Sequence, residues 1–276
     1  MNNYFVVANS SKTSYIDSLL IALFYKSSHV MEILKQIPEH YKFAYLQNLI
    51  LENFVNPIKN SYSIEKSIIH EIRNYSVICG WKDGCDMTEC FNVMDFLNFI
   101  MTGVGYGGIE CEIIKILPNE LKEYERVIKY NFITASVSQD TNTKFLVDKW
   151  VNNNVLQSTS DDDTNCYHFT VLPMIIPIYL DRNNNTSHVD IHKGIKFMKN
   201  NNKIQLNTVW YIHAIICCNN NIYYTILNKD NKWSMYCGGK IPSIEEINIK
   251  DEKIAEQIQR ECVLLLYVLG DEICYI

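Results

Sequence analysis

The cysteines are the most reactive residues in this chain, and their spacing argues against the chemistry they most often serve. Ten are present: Cys79, Cys85, Cys90, Cys111, Cys166, Cys217, Cys218, Cys237, Cys262 and Cys274. No two stand in the C-x-x-C spacing that brings a pair of thiolates onto one tetrahedral metal. Several lie in apolar, strand-like runs, where a free cysteine packs as a small hydrophobe. They read as reduced core residues of a cytosolic or nuclear protein, with no zinc. Asp161, Asp162 and Asp163 lie in a polar stretch, Gln157–Asn165. A calcium loop needs alternating carboxylates and a downstream Glu, so this is a solvated turn. Gly103, Gly105, Gly107 and Gly108 carry neither the G-x-G-x-x-G spacing nor a following Lys-Ser/Thr, which excludes a phosphate loop. His188, His192 and His213 fall singly on strand-like segments, where a histidine is ordinarily packed or at the surface.

The elements that position these residues are legible from apolar spacing. The first hundred residues read as mainly helical. Ile16, Leu19, Leu20, Leu23 and Phe24 recur at helical spacing after Ser14, with Ser14, Asp17 and Ser18 as capping and first-turn residues. Further helical patterns cover Val30–Gln36, Tyr41–Phe54 and Ile64–Tyr75. Another, with Phe91, Met94, Leu97, Ile100 and Met101 on its apolar face, takes Thr88 as its cap. The four glycines then form a junction too glycine-rich for a helix interior. Strands follow at Phe169–Leu180, Val189–Met198, Ile204–Cys218, Ile222–Leu227 and Lys232–Cys237. Asn triplets beginning at Asn183, Asn200 and Asn219 mark turns, because Asn tolerates positive φ. An acidic helix over Ile244–Arg260 leads into a last strand at Cys262–Leu269. Helices first and an antiparallel sheet later make the α+β class.

Composition bounds the partners. With 276 residues, 47% hydrophobic and 20% charged, the chain can bury one good core. A net charge of −6 without a dense Lys/Arg run argues against nucleic acid as the main partner. The N-terminus lacks a basic n-region, and no apolar run approaches the ~20 residues of a membrane span. An intracellular protein, cytoplasmic or nuclear, is the expectation. Richness in Asn, Ile, Lys and Tyr points to an AT-rich genome, such as that of a large DNA virus or a protist.

Four segments, in order, resemble the signature boxes of the ubiquitin-specific proteases, papain-like cysteine deubiquitinases. Asn9-Ser10-Ser11-Lys12-Thr13-Ser14-Tyr15-Ile16-Asp17-Ser18-Leu19-Leu20 is similar to N-x-G-N-T-C-Y-[LM]-N-S-L-L, whose cysteine opens the central helix. Phe91–Leu97 resembles Q-D-A-x-E-F-L, and Leu172–Arg182 resembles L-P-x-x-L-x-x-x-L-x-R. Trp210–Ile216, Ile222–Ile226 and Trp233–Gly238 resemble Y-x-L-x-A-V…G-H-Y-x-A-Y…W-x-x-F-D-D. The resemblance implies one papain-like domain over residues 1–276. A helical thumb would occupy about 1–104, and a fingers remnant without zinc plus an antiparallel palm about 105–276.

Carried over residue by residue, the resemblance also implies that the chemistry has gone. The nucleophile position is Ser14, the histidine falls on Tyr223, the orienting carboxylate on Gly238, and the oxyanion donor on Asn9. A hydroxyl without an adjacent base is a poor nucleophile, and a phenol with a pKa near ~10 is no base at neutral pH. Loss of one triad member costs roughly 10⁴–10⁶ in turnover in serine proteases. The expectation is a pseudo-deubiquitinase with no cofactor and no metal. It would act as a binding or scaffolding module for a protein partner, either ubiquitin or a subunit of a larger complex. Two alternatives stay open at this level: an active hydrolase with an unrecognised nucleophile, and an unrelated α+β structural subunit.

Overall fold

The computed structural model describes residues 7, 11–25, 30–38, 40–60, 62–82, 91–116, 122–153, 164–183, 185–197, 208–229 and 231–270. In chain order the helices are α1 (Ser14–Phe24), α2 (Tyr41–Ile50), α3 (Asn56–Lys59), α4 (Lys66–Ile78), α5 (Val93–Gly103), α6 (Thr143–Asn153) and α7 (Glu252–Glu261). The strands are β1 (Ile109–Ile116), β2 (Lys122–Tyr130), β3 (Ile133–Ser136), β4 (Thr141–Asn142), β5 (Thr164–Phe169), β6 (Ile175–Asp181) and β7 (Val189–Asp190). They continue with β8 (Gly194–Ile195), β9 (Trp210–Asn219), β10 (Ile222–Lys229), β11 (Lys232–Tyr236), β12 (Ile244–Glu246) and β13 (Cys262–Leu269). The class is α+β, as the order of patterns implies. The chain divides into two compact units: Met1–Tyr106 with His213–Leu266, and Gly107–Ile212 with Tyr267–Ile276. The early helices therefore share a unit with the late strands.

In the first unit every residue of α1 is buried. A helix buried all round lies between other elements, and α1 packs on β10 as well as on α4 and α5. On the helical side Tyr15 meets Phe91 and Phe96 edge-on, with ring centroids 5.9 and 5.4 Å apart. On the other side the strands run in the order β12, β11, β10, β9, β13, with β9 to β12 joined by antiparallel pairing. The β9–β10 turn places Asn220 and Asn221 at φ of 49° and 63°. Two successive positive φ angles match the twist of a tight hairpin, which is what the Asn triplet at Asn219 implies.

Several boundaries differ from the sequence expectation. Thr88 lies outside the described residues, and α5 is capped by Asn92, whose Oδ1 accepts the Met94 N–H at 2.8 Å. Residues Tyr41–Phe54 form α2 followed by a short π-helical turn, Leu51–Val55. The helix expected over Ile244–Arg260 begins only at Glu252. Asp251 takes the N–H groups of Lys253 and Ile254 and so sets the helix start. Ile244–Glu246 upstream pairs with β11 instead.

In the second unit β2, β1 and β5 form an antiparallel sheet, with α6 packed on β5 and β3. The expectation of a wholly antiparallel sheet needs correction here, because β3 pairs with β6 and β4 with β7 in parallel. Parallel neighbours require a long crossover, and α6 lies on the stretch that provides one. Val189–Met198 is not one strand. β7 pairs with β4 while β8 pairs with the start of β9, and between them the His192 N–H is taken by Thr143 Oγ1 at 3.0 Å. The strand expected over Phe169–Leu180 is likewise broken around Pro173, whose carbonyl accepts Trp210 Nε1–H at 2.8 Å. The Asn200 triplet and most of the polar stretch Gln157–Asn165 lie outside the described residues.

Candidate functional site

The candidate site is the head of α1, in the first unit. Thr13 precedes the helix without a side-chain cap bond, and Ser14 is its first residue. A 3-10 turn, Ser11–Thr13, runs directly into it, and the position lies at the positive end of the helix dipole. Ser14 is only 1% exposed, and its Oγ accepts a hydrogen bond from the backbone N–H of Tyr223 at 3.1 Å. One turn on, the phenol of Tyr236 donates to Asp17 Oδ2. Next, Thr225 Oγ1 donates to the Ser18 carbonyl at 2.9 Å. Positions 14, 17 and 18 share one helix face by their i, i+3, i+4 spacing. That face makes three ties to β10 and β11, while the buried Ser18 Oγ on it has no hydrogen-bond partner.

Strand geometry fixes the other positions. Alternate residues of a strand share a face, so the Tyr223 side chain lies on the same face of β10 as Thr225, which bonds to α1. Thr225 pairs with Tyr236, the last residue of β11, and Gly238 follows two residues beyond that pair. Gly238 lies in the turn after β11 and offers no side chain. Asn9 lies outside the described residues. The structure thus brings Ser14 and Tyr223 into contact and carries Gly238 toward the same end of the sheet.

The His213 ring bonds to the backbone of Ala22, eight residues along α1 from Ser14. That is ~12 Å along the helix axis. Burial lowers the His213 pKa to about 4, partly offset by the Ala22 bond, so its ring is neutral near pH 7. In the second unit, His192 has Nδ1 3.3 Å from Thr143 Oγ1, while the Tyr267 hydroxyl donates to its carbonyl. Burial raises the thiol pKa of both Cys218 and Cys237, the reverse of nucleophile activation. Tyr236 is pushed well above the ordinary phenol range, first by burial and then by the Asp17 charge. It therefore remains a hydrogen-bond donor.

The fold matches a chain of a solved assembly, the SAGA DUB module of Ubp8 carrying a Cys-to-Ala substitution, Sgf11, Sus1 and Sgf73, bound to monoubiquitin. The TM-score is 0.65 at 11% sequence identity, covering 98% of this chain and 70% of that one. The chain has a ubiquitin-specific-protease-like fold. No family model and no curated protein matches the sequence. At 11% identity the likeness carries the fold and leaves the chemistry to be read from the residues present.

Read within that fold, the Asp17–Tyr236 bond is the feature that sequence reasoning missed. Asp17 was expected only as a first-turn residue. The available signal was a carboxylate inside a helix with apolar residues on every side, since such a group needs a buried partner. Trp210 and Trp233 pack in the core, at 0% and 7% exposure. Among the described residues no group of three or more His, Cys, Asp or Glu is placed to hold a metal ion. Among the same residues no helix is long and apolar enough to cross a membrane.

Proposed function

We propose that this chain is a pseudo-deubiquitinase: a protein-binding module on a ubiquitin-specific-protease-like fold, without protease activity. One observation carries the reading. The side chain at the head of α1 is a serine hydroxyl, buried and already accepting a backbone N–H from Tyr223. A hydroxyl becomes a nucleophile when a base takes its proton. His213, on β9 beside β10, is bonded to the helix two turns further on, at Ala22. The partner is a protein, either ubiquitin itself or a subunit of a larger intracellular complex. Both kinds of partner accompany the solved neighbour, which is bound to monoubiquitin inside a four-protein module.

The test is turnover of a fluorogenic ubiquitin amide. Wild type, Ser14→Ala and Ser14→Cys should all give flat traces, the last because a thiol restored alone still lacks an imidazole. Turnover in the wild type that vanishes in Ser14→Ala overturns the reading. Calorimetry with ubiquitin then separates the partners: binding identifies a ubiquitin holder, and no binding at millimolar concentration leaves the complex subunit.

A further inference from the structure

We draw no further inference here: the strongest candidate, the aromatic-walled groove that Phe43, Trp81 and Phe99 line along α5, carries nothing because no feature of the structure shows what covers it.

Discussion

The two faces of the helical layer tie their polar groups to different degrees. Where α1 meets β10 and β11, Ser14, Asp17 and the Ser18 carbonyl each have a partner on the strands, while the buried Ser18 Oγ has none. On the outer side of α5, Trp81 keeps a buried indole N–H with none. In an enzyme the strained and unsatisfied groups are expected at the catalytic centre. Here the corresponding side chain, Ser14, accepts a hydrogen bond from β10. The ties between α1 and the strands hold the helix in place, so substitutions there should cost stability.

The largest expected effect is a pH dependence at the far end of the α1 contact. His213 takes up a proton near 6.5 in the unfolded chain but only near about 4 when folded, because burial disfavours the charged ring. The unfolded state therefore binds more protons between those values, and stability falls as pH drops from about 6.5 to about 4. The shift is worth about 3 kcal/mol at most. Urea midpoints across this range should show the loss, and His213→Phe, which keeps a ring without the titrating nitrogen, should remove that part of it. Second comes Tyr236→Phe, which takes the phenolic donor from the Asp17 carboxyl. A buried bond of this kind is worth about 2 kcal/mol. An unchanged urea midpoint would show that the tie does not hold α1.

How far the sequence reached depends on the range of the interaction concerned. Helix α1 and the β9–β10 hairpin were legible because apolar spacing and an Asn turn encode them within a few residues. The Ser14–Tyr223 contact spans 209 positions, and no local pattern encodes such a contact. It came only through the resemblance of separate boxes in order. Strand β12 was lost because Ile244–Arg260 has helix-compatible spacing, while the true helix start is set by a cap at Asp251. Helix α6 and the parallel β3–β6 pair lie in or next to a stretch that no box covers, and parallel pairing leaves no turn signal to read. The Asp17–Tyr236 bond needed the partner's position, which depends on the register of β10 with β11.

The smaller effects sharpen the contrast between the two faces. Thr225→Val is nearly isosteric and removes one hydroxyl donor, leaving the Ser18 carbonyl without that bond. The expected cost is about 1 kcal/mol, read as a lower urea midpoint with an unchanged slope. Trp81→Phe removes a donor that has no partner in the free protein, so the hydrogen-bond account predicts no cost from that atom. Some packing is lost with the smaller ring, and the two terms oppose each other. The expected net change is within about 1 kcal/mol of zero, much less than truncation of a buried Trp to Ala would give. If Trp81→Phe instead unfolds the chain as readily as Tyr236→Phe, the indole N–H has a structural partner after all. The Trp81 indole would then hold the helical layer together as the Asp17–Tyr236 bond holds α1 to the sheet.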